Sequence, residues 1–280
     1  MQIYIPSNID ESSPLLDNFS TPEGGYVLAH EYCAPECLHY HSMWPVLSVT
    51  GQAATPYTHK SFYRDGLTSA MLGEDTESRP LKILIAGSAD HTMVAMVTDH
   101  VAELKADVEI TLADKCRTPL IRSGLFAQSR GVPITLLQLD LSKPGAFDAK
   151  KANFDVICSD LIYGYFRTPD GKQGLLNNFS SWLRPEGTLL TVSDCSSMFR
   201  TSKFNLPPEV LARLQVVGEV AKATVPPEDL LSQMSCMVID NFWDAEQMAG
   251  MISAAGMTVQ KTSELSEARQ YHAFTAVKAR

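Results

Sequence analysis

Gly87 and Ser88 follow the apolar run 82–86, Asp114 follows 108–113, Asp140 follows 134–139, and Ser159 with Asp160 follows 154–158. Runs of this length, rich in β-branched and aliphatic residues, read as buried strands. In open α/β sheets ligands bind beyond the carboxyl ends of the strands, so these residue types stand where chemistry is done. A small residue lets a ligand approach the backbone. A carboxylate behind the second strand can accept both hydroxyls of a ribose, and one behind the third can accept from an adenine amino group. Turns favour Asp for their own reasons, so one such acid says little. Several in register with a Gly turn point to a nucleoside cofactor.

To hold those positions, the chain must alternate strands with crossover helices, and from residue 81 it does. Met93, Val94, Val97, Val101 and Leu104 recur at helical spacing behind Asp90 or Thr92 as a cap. Pro119 suits the first turn of a helix carrying Leu120, Ile121, Leu125 and Phe126. Leu175, Leu176, Phe179, Trp182 and Leu183 line a further helix that stops at Pro185, and 187–192 is a fifth strand. Asp244 caps a last helix closed by Gly256, followed by strands at 257–261 and 271–278. Residues 1–80 differ, with many Pro, His, Tyr and Ser and little periodicity. The polar stretch 73–80 marks the boundary between this N-terminal segment and an α/β domain over 81–280.

Residues 81–93, 114–120 and 138–141, with Phe154-Asp155-Val156-Ile157 and Trp182-Leu183-Arg184-Pro185-Glu186-Gly187, carry a likeness to a known family. Over roughly the C-terminal two thirds, the chain resembles the class I S-adenosylmethionine-dependent methyltransferases. The resemblance implies a doubly wound, mostly parallel seven-stranded sheet with an antiparallel last strand pair. It implies S-adenosyl-L-methionine as cofactor, held by Gly87, Ser88 and Asp90, by Asp114 with Lys115 and Cys116, by Asp140 with Leu141, and by Ser159, Asp160 and Leu161. It also implies methyl transfer to a small molecule, with secondary metabolism as one setting. The chain departs from the family where Ile85 stands in place of the usual acid, and where Ala89 and His91 replace glycines. Those changes alter how the methionine end of the cofactor is held, and Asp90, Tyr63 or Arg64 are the chemical substitutes. An inactive, methyltransferase-like binding or regulatory subunit is the alternative; a nicotinamide-dependent dehydrogenase would also use Gly87 and Asp114, but lacks the closing strand pair.

Methyl transfer requires an aligned acceptor and exclusion of water, with a general base only where the acceptor carries a proton. Tyr163 and Tyr165 behind the fourth strand, His91 behind the first and Asp194 behind the fifth are the candidates for such a base. The N-terminal segment is expected to form a lid over the strand ends, with Trp44, Tyr57, Tyr165 and Phe166 facing the acceptor. Cys33, Cys37, His39 and His41 form a set with metal-ligating chemistry, but the spacing matches no familiar zinc motif and Pro35 disturbs any helix there. The expectation is packing and hydrogen bonding without a metal.

Composition narrows the partners. Lys and Arg total 23 against 32 Asp and Glu, a formal net charge of -9 with no basic run, which argues against nucleic acid. No apolar stretch reaches the ~20 residues of a membrane span, and residues 1–13 lack the basic start and apolar stretch of an export signal. Six scattered cysteines fit a reducing cytoplasm. A homodimer stays open.

Overall fold

The seven apolar runs after residue 80 that the sequence marks as strands all lie in one sheet. The computed structural model describes residues 18–72, 79–145, 147, 153–166, 168–195, 207–220, 229, 244–266 and 270–280. The strands β1 (Leu81–Ala86), β2 (Val108–Asp114), β3 (Ile134–Gln138), β4 (Phe154–Asp160), β5 (Leu183–Asp194), β6 (Met257–Ser266) and β7 (Tyr271–Lys278) lie in the order β3-β2-β1-β4-β5-β7-β6. All neighbouring pairs up to β5 are parallel, whereas β7 runs antiparallel to both β5 and β6. This is the expected doubly wound, seven-stranded sheet. Strand order reverses between β1 and β4, which opens the crevice where such sheets take their ligands.

Alternate residues of β1 serve the two faces. Ile83 and Ile85 pack with Val94, Val97 and Val101 of α4 (Thr92–Glu103) and with Leu120, Ile121 and Leu125 of α5 (Arg117–Arg130). Leu84 and Ala86 point the other way, to Leu175, Leu176, Phe179 and Trp182 of α6 (Pro169–Trp182) and to Met248 and Ile252 of α8 (Ala245–Ala254). The period of two along a strand thus fills both layers from one run of apolar residues. Asp244 caps α8 as expected, accepting the Gln247 N–H at 2.7 Å.

Among the described residues, three α-helices precede the sheet where the sequence suggests little order: α1 (Pro22–Tyr32), α2 (Pro35–Val49) and α3 (Lys60–Leu72). Pro35 begins α2 rather than disturbing it, because the first helical position needs no N–H donor and suits proline's fixed φ. Thr21 caps α1, accepting the Gly24 N–H at 3.1 Å. Gly66 lets α3 approach the sheet closely, since a Cβ there would lie 2.5 Å from a Leu190 methyl. Met43, Val46 and Leu47 of α2 with Tyr26 of α1 form a separate cluster against Val210, Leu214 and Val217 of α7 (Pro208–Val220), a helix the sequence reading does not anticipate.

Phe19, Leu28, Ala54, Tyr63, Leu67 and Met71 belong to the same apolar cluster as Leu81, Ile83 and Ile85. The N-terminal helices and the sheet therefore share a core. Most of the polar stretch assigned as the boundary, residues 73–78, lies outside the described residues, as does the segment 1–13. No helix among the described residues is long and apolar enough to cross a membrane.

Candidate active site

The crevice between β1 and β4 is built around the turn behind β1. Gly87 adopts φ of 76°, and its N–H donates to the Ala113 carbonyl at 2.9 Å. A Cβ at this position would lie 2.4 Å from the Ile162 Cδ1 atom. The positive φ favours glycine here, and any side chain would have to displace Ile162. The next residue, Ser88, donates its N–H to Asp114 Oδ2 at 2.9 Å, and Cys116 donates its own to Asp114 Oδ1 at 2.7 Å. The two backbone bonds fix the plane of the Asp114 carboxylate at the end of β2. Each oxygen keeps a second lone pair, so the group can still accept two hydroxyls. Burial pushes its carboxyl pKa up to about 6, with His41 and the two N–H groups pulling the other way.

Asp90 is buried at the start of α4. Its Oδ1 accepts from the Thr92 N–H at 2.8 Å and the Thr92 hydroxyl at 2.6 Å, so it caps the helix from one place ahead of the formal cap, His91. Its Oδ2 accepts from the Trp44 indole N–H at 3.1 Å, which joins α2 to the turn behind β1. Burial alone would raise this carboxyl, but the Arg122 guanidinium, His91 and the Thr92 bonds hold it below the usual range. Asp160, at the end of β4, is engaged in the same manner. Tyr63 donates its hydroxyl to the Ser159 carbonyl at 2.7 Å and to Asp160 Oδ1 at 2.9 Å, and His59 Nδ1 lies 2.9 Å from that same oxygen. These contacts dock α2 and α3 over the strand ends.

Aromatic rings roof the crevice. Tyr40 lies 5.4 Å from Trp44 and 5.4 Å from Tyr165. Burial raises the Tyr40 hydroxyl well above the usual phenol range, and the charges of Asp90 and Asp114 add to this. Sequence reasoning missed Tyr40. It stands at 3.6-residue spacing from Trp44 on the same face of α2, but that signal needed the helix to be recognised first.

The remaining expected residues divide. Asp140 orders its own turn, accepting from the Ser142 hydroxyl at 2.6 Å, and Leu141 is buried against the core beneath it. Lys115 is exposed, 3.9 Å from Glu36, while the Cys116 thiol lies 3.4 Å from those of Cys33 and Cys37. Leu161 takes φ of 52° in the turn behind β4. Tyr163 is fully buried, and its hydroxyl accepts from Thr191, which in turn lies 2.9 Å from Ser159. That network places Tyr163 inside the core layer. His91 lies between Phe126, stacked at 5.3 Å, and Phe19, edge-on at 5.3 Å. Asp194 ends β5 opposite Tyr271, and Phe166 packs partly buried against the α6 side of the core. Tyr57 is exposed under the Lys60 ammonium. Arg64 pairs with Glu103, the last residue of α4. That is ~16 Å along the helix from the turn at Gly87, so the structure does not bring Arg64 to the crevice.

No family model and no curated protein matches the sequence. Solved structures do match it in fold. The carbon methyltransferase CurJ superposes with a TM-score of 0.56 at 16% identity over 95% of this chain, which spans 66% of that one's length. A candidate sarcosine dimethylglycine methyltransferase from Galdieria sulphuraria gives 0.50 at 12% identity, covering 78% and 85%. The 1,6-didemethyltoxoflavin N1-methyltransferase of Burkholderia thailandensis, solved with S-adenosylhomocysteine, gives 0.46 at 16%, covering 81% and 92%. The chain shares the fold of these methyltransferases, with the expected seven-stranded sheet and closing antiparallel pair.

Proposed function

We propose that this chain is an S-adenosylmethionine-dependent methyltransferase acting on a small molecule. The observation that carries the reading is the Asp114 carboxylate, fixed by the Ser88 and Cys116 N–H groups beside the turn at Gly87. That arrangement suits a nucleoside: the turn sets the Asp114 carboxylate at the strand ends, and its free lone pairs accept the ribose hydroxyls. Asp140, behind β3, is positioned to accept from the adenine amino group. When bound, the cofactor supplies an electrophilic methyl group on a sulfonium that carries its own leaving group.

The protein's part is alignment and exclusion of water. Tyr40, Trp44 and Tyr165 wall the crevice with apolar rings and close it from the side of α2. Asp90 holds Trp44 in place, and Asp160 holds α3, so the roof is anchored at two strand ends. The net charge of -9 supports a small acceptor over nucleic acid.

A second reading, a methyltransferase-like binding protein without activity, draws on Ile85, fully buried where the family carries an acid, and on Asp90, whose two oxygens already serve Thr92 and Trp44. Calorimetry on Asp114→Ala tests the first reading. The variant should lose more than ~1.5 kcal/mol of S-adenosylmethionine affinity, the lower range for hydrogen bonds to a charged group, while staying folded. An unchanged dissociation constant would remove Asp114 from the site.

A further inference from the structure

We propose that Cys33, Cys37, His41 and Cys116 form a structural zinc site that ties the N-terminal helices to the end of β2. Their four donor atoms all lie within 4.8 Å of one another. Cys33 Sγ is 3.4 Å from Cys116 Sγ and 3.3 Å from His41 Nδ1, and Cys37 Sγ is 3.4 Å from Cys116 Sγ. Zinc bonds of about 2.3 Å to sulfur and 2.0 Å to nitrogen, at tetrahedral angles, give sulfur–sulfur edges of ~3.8 Å and sulfur–nitrogen edges of ~3.5 Å. These three separations fall a few tenths of an ångström inside those edges, and the other pairs lie within 4.8 Å, so the set is close to a tetrahedron without yet forming one. Side-chain rotations that part the three close pairs and even out the others would seat the ion.

Local structure explains how distant residues meet. Cys33 ends α1, Cys37 and His41 stand one turn apart on one face of α2, and Cys116 precedes α5 directly behind β2. His39, which the sequence grouped with them, is about 200° round the helix from Cys37, and Cys116 takes its place. Pro35 at the start of α2 allows the chain to turn between Cys33 and Cys37.

The chemistry favours zinc. Three sulfurs and an imidazole are a soft donor set of the tetrahedral Cys₃His kind, and four protein ligands leave no open position, which marks a structural rather than a catalytic ion. The Thr118 hydroxyl lies 3.0 Å from Cys33 Sγ, where it can donate to a thiolate. Exposed Lys115 and Arg117 flank Cys116 and offset the single negative charge of zinc with three thiolates and a neutral histidine. A disulfide joins only two of the three thiols and would leave the third and His41 crowded against it.

The site adjoins the crevice without depending on it. Cys116 donates its N–H to Asp114, so an ion on the Cys116 thiol would steady the turn that presents the carboxylate. The test uses the full chain, purified under reducing conditions without chelator, with thiols blocked at lysis in a parallel sample. Elemental analysis should give about one zinc per chain. Cobalt loading should give the strong visible d–d absorption and near-ultraviolet sulfur-to-metal bands of a tetrahedral thiolate site. Cys37→Ser and Cys116→Ser should lose both signals. Should those variants fail to fold, the native chain still decides: half-exposed Cys33 and Cys37 should resist alkylation until zinc is chelated, then react. A folded, reduced chain with no zinc and no such cobalt spectrum overturns the proposal. So does a disulfide between any two of these cysteines in the sample blocked at lysis. None of these readouts involves S-adenosylmethionine, so failure of the metal site and failure of the methyltransferase reading are separable.

Discussion

At the scale of single residues, the strand-end positions were legible because their place follows from topology. Asp114 and Asp140 could be read from the apolar runs before them, since any strand of a parallel sheet ends at the ligand side. What a side chain does once placed was less legible. Tyr163 follows β4 as expected, yet its hydroxyl is spent within the core on Thr191. Arg64 has the chemistry to meet a carboxylate, and meets Glu103 instead. His91 replaces a family glycine and is held between two phenylalanines, facing Asp90 and Arg122. Burial pushes its imidazole down to about 4, below the ~6.5 of an unfolded chain. The unfolded state then takes up a proton that the native state refuses, so stability is full above about pH 6.5 and falls as pH drops toward 4, by up to ~3 kcal/mol. Urea unfolding of His91→Phe against the parent should show this: the parent's stability should decline more steeply between those pH values. Parallel pH profiles would mean that His91 is not held neutral by its surroundings.

At the scale of elements, all seven strands were legible in place, although β5 begins at Leu183, where the sequence suggests the helix runs on to Pro185, and the N-terminal helices were not legible. Strands in a buried sheet announce themselves as continuous apolar runs. The helix α2 carries His41, Ser42, Met43, Val46 and Leu47 as buried residues, because it packs against the crevice on one side and α1 and α7 on another. Such burial spreads apolar and polar residues round the helix and erases the 3.6-residue stripe. Pro45 within α2 and the glycines of α1 conceal the pattern further. The contact that fixes α3 is Tyr63, with two hydrogen bonds at the end of β4. Tyr63→Phe keeps the ring and removes both, leaving the Ser159 carbonyl without that donor. The loss should be about 1–3 kcal/mol, read by denaturant unfolding. A change under ~0.5 kcal/mol would mean that α3 is held by its apolar face alone.

For the whole molecule, the sequence suggests an added lid on a separable domain, and the structure builds both on one core. Met71 and Leu67 of α3, with Phe19 and Leu28, pack in the cluster that contains Leu81, Ile83 and Ile85. A chain starting at residue 79 would expose to water the face of β4 and β5, with Val156, Cys158, Leu190 and Val192, on which α3 packs. It should therefore lose its cooperative thermal transition, as followed by circular dichroism. A truncated chain that melts cooperatively near the parent's temperature would restore the separable lid. The same architecture makes the crevice a junction, with Trp44 on Asp90, Tyr63 on Asp160 and the thiol cluster on Cys116 closing it from one side. A crystal structure of the full chain with S-adenosylhomocysteine tests the central claim most directly. The ribose hydroxyls should sit within hydrogen-bonding distance of the Asp114 carboxylate, with the adenine toward Asp140 and the roof of Tyr40, Trp44 and Tyr165 closed over the sulfur. A cofactor bound elsewhere on the molecule, or a crevice that stays unoccupied at millimolar cofactor, would contradict the account.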